Sequence, residues 1–192
     1  MRMQGHTDIP LNDEGLGQAA RIAARLDANR PQLDAVWSSD LSRARHTAEA
    51  IAAPLRLPVR LSPLLREIML GEWEGLNQEE IEARGDGELL AQYRNSPHAV
   101  RPPGGETLEG AWDRMMRARD EIRAAHPTGE VAVVGHGGTL RALLCAALDA
   151  PVASMLRFSL ANTSLSVIEE SRQPESRIWR VRCVNDISHL VC

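Results

Sequence analysis

Val131-Ala132-Val133-Val134-Gly135-His136-Gly137-Gly138-Thr139-Leu140-Arg141-Ala142-Leu143-Leu144 is the stretch that decides the fold. Its four leading apolar residues have no polar interruption, so they read as a strongly buried strand, the kind found in parallel sheets covered on both faces. A glycine-rich turn follows, and a helix from Thr139 to Leu148 begins directly after it. In open α/β sheets, ligands sit beyond the carboxyl ends of the strands. His136 stands at such an end. The glycines around it, Gly137 included, let backbone amides approach a ligand closely, and the helix start favours an anion. The plain alternative is a histidine that caps a tight turn.

The flanking sequence repeats this pattern. Asn12 is a capping candidate ahead of Leu16, Ala19, Ala20, Ala23 and Leu26, which recur at helical spacing. Asp34-Ala35-Val36-Trp37 is a short buried-strand candidate that ends at Ser38-Ser39. The next helix puts Leu41, Ala44, Ala48, Ile51 and Ala52 on one face and closes at Pro54 and Pro58. Val59-Arg60-Leu61 reads as another short strand. Leu108, Ala111, Trp112, Met115, Ile122 and Ala125 mark a long amphipathic helix ending near His126-Pro127, and Leu165–Ile168 and Ile178–Val184 fit antiparallel or edge strands. Strands alternating with helices predict an α/β three-layer sandwich, a largely parallel sheet flanked by helices. Residues 71–105 differ in texture, being rich in Gly, Glu and Pro with short helical pieces around Glu79–Ala83 and Glu88–Tyr93. They read as an insertion covering something, with a lid over about 76–104, and not as core.

Composition narrows the function. The 192 residues fit one domain, 1–192, and a net charge of −4 argues against nucleic-acid binding. All 22 basic residues are arginine, which excludes a catalytic or Schiff-base lysine. No apolar run is long enough to cross a membrane, and the opening residues lack a signal-peptide stretch. Cys145, Cys183 and Cys192 are too few and scattered for a disulfide framework, and Cys145 reads as a small buried thiol. These features predict a cytoplasmic protein. The six histidines form no metal-ligand pattern, and no cofactor motif, P-loop or Gly-x-Ser-x-Gly elbow occurs.

Two further groups could carry chemistry. In Ser38-Ser39-Asp40-Leu41-Ser42-Arg43, a strand end again leads into a helix, and Arg43 in its first turn offers a planar fork to a phosphate or carboxylate. Surface arginines near helix starts are common, so this signal gains weight only beside His136. In Leu65-Arg66-Glu67-Ile68, a carboxyl between apolar neighbours suits a general acid, and a salt-bridged structural glutamate fits the same spacing equally. Glu72 and Glu74 read as solvated.

Together, Met3–Asn12, Ser38–Thr47, Leu65–Gly75, Pro103-Gly104-Gly105-Glu106 and Gly135-His136-Gly137 follow in one order. The chain resembles the histidine phosphatase superfamily in its phosphoglycerate-mutase-like branch, over nearly its whole length. The family's enzymes transfer a phosphoryl group to a histidine and then hydrolyse the phosphohistidine. The resemblance implies that Arg43 is a phosphate-pocket arginine, that His136 is the second pocket histidine and that Glu67 donates a proton to the leaving oxygen. Gln4, Gly5 and Gly137 would line the substrate-binding rim, and Asn162-Thr163-Ser164 resembles the strand start beneath the second histidine. Tyr93, Arg94 and Arg101 would face the leaving group or the surface. A phosphoryl group in transfer carries dispersed negative charge, so preorganised cationic donors should dominate such catalysis. Glu67 must be protonated to donate, which requires burial.

The pattern has one departure. The family's nucleophile lies in an Arg-His-Gly motif after a first strand, upstream of the Gln-Gly segment, and neither occurs among these 192 residues. Arg45-His46-Thr47 lacks the glycine and lies inside the Arg43 helix. The missing strand, roughly 5–6 residues, would leave unpaired backbone groups costing about 1–3 kcal/mol each. The resemblance therefore implies an N-terminally truncated form of an ordinary phosphatase. The interval from Glu67 to His136 is compact, which favours a phosphomonoesterase acting on a small phosphorylated substrate. Phosphoglycerate mutase and an inactive phosphate-binding module are the alternatives. A homodimer is one option for assembly, although the Leu140/Leu143/Leu144 stripe suits core better than interface.

Overall fold

The computed structural model describes residues 2–29, 33–170 and 178–191. Asn12 starts the first helix, α1 (Asp13–Asn29), by accepting the Gly15 N–H on its side chain at 2.9 Å. Then come β1 (Leu33–Ser38), α2 (Ser42–Leu55) and β2 (Val59–Leu61). The helix α2 runs one residue past Pro54 and ends on Arg56 in the left-handed region, φ 56°. The segment expected to be a lid holds α3 (Gln78–Ile81) and α4 (Gly87–Asn95). Thr107 caps α5 (Leu108–Ala125), which is followed by β3 (Glu130–Val134), α6 (Gly137–Ala147), β4 (Leu165–Glu170) and β5 (Trp179–Asp186).

The sheet order is β2-β1-β3, all parallel, with Ser38 level with both Leu61 and Val134. That register brings the three carboxyl ends together. Ser39 N–H donates to Val134 O at 3.0 Å and Ser62 N–H to Ser38 O at 2.8 Å, so the turns leaving the strands are tied side by side. The strands β4 and β5 form a separate antiparallel pair.

Side-chain alternation along the strands builds the layers. Val36, Ala132 and Val134 meet Ile22 and Ala23 of α1 and Ala48, Ile51 and Ala52 of α2. Trp37 and Val133 point the other way, onto Leu108, Met115 and Ala118 of α5 and Ala142 and Cys145 of α6. Burial raises the Cys145 thiol pKa, as befits a small residue used for packing. Leu144 is buried, and Leu140 and Leu143 pack against the α5 cluster, so that stripe serves the core.

The structure corrects two expectations. Val131–Val134 is half-buried, not strongly buried. Its only ladder among the described residues is with β1, so one edge lacks a neighbouring strand to cover it. The insertion, for its part, has a core of its own. Trp73, Ile81 and Leu90 are buried together, with Met3, Leu76 and Tyr93 packed around them. The Trp73 indole N–H donates to Asp86 at 2.9 Å, and Tyr93 meets the indole edge-on at 5.6 Å.

Candidate active site

The turn after β1 is polar yet closed to water: Ser38 and Ser39 are both fully buried. Asp8, from the segment before α1, caps the start of α2 by accepting the Ser42 N–H and hydroxyl, each at 2.7 Å. Those bonds lower the Asp8 pKa. One residue on, Arg43 reaches back under the same segment and donates to Thr7 O at 2.9 Å and Gly5 O at 2.8 Å. Gly5 is buried with φ +53°, and a Cβ there would run into the Glu74 side chain. Gln4 lies exposed beside it. Burial lowers the Arg43 pKa, opposed by the charges of Glu67, Asp8 and Glu74.

His136 is the N-cap residue of α6, extended at φ −128°, ψ 153°. It is only 7% exposed, yet its Nε2 has no hydrogen-bond partner among the described residues. Burial pushes its pKa down to about 3, with Arg43, His6 and Arg114 adding positive charge nearby. Thr139, one turn along the same face, is fully buried with an equally unpartnered hydroxyl. Such orphaned polar atoms call for an explanation, and here they lie at the start of α6, where an anion is favoured.

Glu67 completes the group. Its Oε1 accepts the Ile68 N–H at 2.9 Å and its Oε2 the Gly138 N–H at 3.1 Å, which seats the carboxyl on the first turn of α6. The space exists because residue 138 is glycine: a Cβ there would fall within van der Waals contact of Oε1 and 3.0 Å from Cδ. On either side the segment is anchored. Arg66 forks onto Asp40 at 2.7 and 2.6 Å, which lowers the Asp40 pKa. The Glu67 carbonyl faces His6 Nε2 at 2.8 Å and accepts from Arg114 Nη2 at 3.0 Å.

Arg43, Glu67 and His136 thus come together at the carboxyl ends of β1, β2 and β3, with Gly5 behind Arg43 and Gly137 beside His136. Other expectations fare differently. Glu72 is exposed and pairs with Arg84. Glu74 is not solvated but half-buried, because its carboxylate accepts the His6 N–H at 2.8 Å, the Leu70 N–H at 3.0 Å and the Thr7 hydroxyl at 3.0 Å. Those bonds and His6 outweigh burial and lower its pKa. Tyr93 is partly buried, and burial pushes its pKa up to about 12. Arg94 and Arg101 are exposed, and Arg94 donates to Gln78. Thr163 turns the chain into β4 with φ 53°, close to His189. His6, Glu74 and Arg114 escaped the sequence reading. The run Gly71-Glu72-Trp73-Glu74-Gly75 did carry a usable signal for Glu74, since Trp73 must turn inward. His6 and Arg114 had none at short range.

The arrangement suits a small anion: a half-buried guanidinium, an imidazole whose Nε2 has no partner among the described residues and a helix start, with a carboxyl alongside. Among the described residues, no group of three or more His, Cys, Asp or Glu could hold a metal ion, and no helix is long and apolar enough to cross a membrane.

Comparison with known proteins points the same way. The model of the histidine phosphatase superfamily (branch 1) matches residues 1–186. Phosphoglycerate mutase-like protein 4 of Arabidopsis thaliana is 36% identical over 190 residues, covering 98% of this chain and 80% of that protein. Phosphoserine phosphatase 1 of Hydrogenobacter thermophilus is 35% identical over 173 residues, covering 89% of this chain and 81% of that one. The solved structure of Bacillus stearothermophilus YhfR superposes with a TM-score of 0.89 at 32% identity, covering 98% of this chain and 91% of that chain.

Proposed function

The chain belongs to the histidine phosphatase superfamily (branch 1), and from that premise we propose that it hydrolyses phosphomonoesters of a small phosphorylated metabolite through a phosphohistidine. One observation carries the reading: the Glu67 carboxyl rests on the Gly138 N–H beside the unpartnered Nε2 of His136 and the guanidinium of Arg43.

The phosphoryl oxygens would sit between these groups. Arg43 supplies a fixed cationic fork, since its bonds to Gly5 and Thr7 carbonyls hold it in place without neutralising it. His136 donates from Nε2, and the start of α6 adds its partial positive charge. Donors fixed in advance are worth most where charge spreads over the transferring oxygens. Glu67 gives its proton to the ester oxygen as the P–O bond breaks and the bond to the acceptor histidine forms. The released alcohol leaves, and the Glu67 carboxylate then takes a proton from the water that attacks phosphorus as the P–N bond to the acceptor histidine breaks. Ester and water become alcohol and phosphate.

The acceptor histidine is proposed to come from an Arg-His-Gly segment outside these 192 residues. Two observations support this: the sequence contains no such motif, and β3 and β4 each have one ladder partner among the described residues. The test compares hydrolysis of small phosphomonoesters by residues 1–192 with hydrolysis by a chain extended upstream through Arg-His-Gly. Turnover by the extended chain alone is expected, with phosphate trapped on the new histidine after acid quench. Activity in residues 1–192 would place the acceptor elsewhere. Inactivity in both, with phosphate still bound, would leave the chain a phosphate-binding module.

A further inference from the structure

We propose that Arg114 is a positioning residue: it sets the direction of the Glu67 carboxyl by holding the peptide unit that joins Glu67 to Ile68. The consequence for catalysis rests on the phosphatase reading above, but the positioning itself does not.

Arg114 lies on α5 and is 12% exposed at its side chain. Its Nη1 donates to Leu64 O at 2.7 Å and Arg66 O at 2.9 Å, and its Nη2 to Glu67 O at 3.0 Å and Glu106 Oε1 at 2.6 Å. Nε faces Glu106 Oε2 at 3.4 Å. All five N–H donors of a guanidinium are therefore engaged. Three carbonyl oxygens from four consecutive residues converge on one cation, and without it their dipoles would repel one another in a partly dry site. Glu106 fixes the guanidinium from the other side and also accepts the Met69 N–H at 2.8 Å.

The coupling to chemistry runs through a single rigid plane. The Glu67–Ile68 peptide presents its C=O to Arg114 and His6, and its N–H holds Glu67 Oε1 at 2.9 Å. A peptide unit is planar, so any rotation that frees the carbonyl swings the N–H, and the carboxyl follows it away from Gly138. A lysine at 114 would keep the charge, but three donors on a flexible stem cannot reproduce the fork.

The experiment uses residues 1–192 and reads the amide proton shifts of Ile68 and Gly138 against pH, in wild type, Arg114→Lys and Glu106→Gln. In wild type both amides are expected to move together with the Glu67 carboxyl. Arg114→Lys is expected to abolish the Gly138 response while the protein stays folded, and Glu106→Gln, which loosens the same guanidinium, to weaken it. If Arg114→Lys fails to fold, Glu106→Gln decides alone. Unchanged midpoint and amplitude at Gly138 in a folded variant would overturn the proposal, reducing Arg114 to a buried ion pair. In the chain extended through Arg-His-Gly, Arg114→Lys should lower kcat about 100-fold and shift its pH profile, with KM little changed. Absence of turnover in that wild-type protein would refute the phosphatase reading and leave the amide result standing.

Discussion

Replacing Gly138 by alanine tests the seat of Glu67 with a single methyl group. The added Cβ would overlap Glu67 Oε1 and lie 3.0 Å from Cδ and 3.1 Å from Ile68 Cδ1. The carboxyl is the free end of a flexible side chain, so it moves and the helix stays. Leaving the Gly138 N–H forfeits a hydrogen bond to a charged group, about 1.5–3 kcal/mol. Alanine in place of glycine in a helix returns up to about 1 kcal/mol. The net loss of about 0.5–2 kcal/mol should lower Tm by only a few degrees, at about 2–4 °C per kcal/mol for a chain of this size. Catalysis should suffer far more, because a displaced general acid costs about 10²–10⁴ in rate. The assay measures kcat/KM of the chain extended through Arg-His-Gly on two esters, one with an alkoxide leaving group and one with p-nitrophenolate. The alkyl ester needs the proton and should lose activity steeply, while the nitrophenyl ester, whose leaving group departs unaided, should lose much less. Equal losses on both esters, or none on either, would refute the assignment of Glu67 as the acid.

Three other outcomes follow from the same geometry. Gly71→Ala places a Cβ on Pro103 O and 2.5 Å from the Gly104 carbon and Gly105 nitrogen at φ +54°, so chemical denaturation should show a loss of about 2 kcal/mol or more. Gly17→Ala sits in α1 with nothing within 4 Å of the new methyl and should gain about 0.5–1 kcal/mol, visible as a higher Tm. His136 has a folded pKa of about 3, below its unfolded value of about 6.5. Its contribution is therefore complete above pH 6.5 and fades as the pH falls, because the unfolded chain takes up the proton first, at up to about 1.4 kcal/mol per pH unit. Melting of wild type and His136→Gln between pH 4.5 and 6.5 should show the steeper fall in wild type, since the lowered carboxylates Asp8, Asp40 and Glu74 are present in both proteins. Parallel curves would contradict the buried neutral imidazole.

The features legible in the sequence were those written in short-range periodicity and in strand-turn-helix junctions. Val131–Gly138 gave the strand end, the glycine turn and the position of His136. Apolar spacing gave the helices within about three residues, and Asn12 gave the cap of α1. Arg43 and Glu67 could be singled out because each follows a strand or sits between apolar neighbours. What stayed hidden was held by long-range bonds. Glu74 meets His6 and Thr7 across 68 and 67 residues, and Arg114 meets the Glu67 carbonyl across 47. Nothing in local spacing marks such a partner, and on α5 an inward arginine looks like any solvated one. The Trp73, Ile81 and Leu90 core was masked because a small cluster of apolar residues spread through Gly- and Glu-rich sequence leaves no period to detect.

The edge of β3 bears on how the protein behaves in solution. Val131-Ala132-Val133-Val134 carries no charge and no proline, and β1 supplies its only ladder among the described residues. Natural sheets guard such edges with lysines, prolines or bulges, and this chain has no lysine at all. Concentrated preparations of residues 1–192 should therefore self-associate edge to edge. A strand laid along the edge would suppress this.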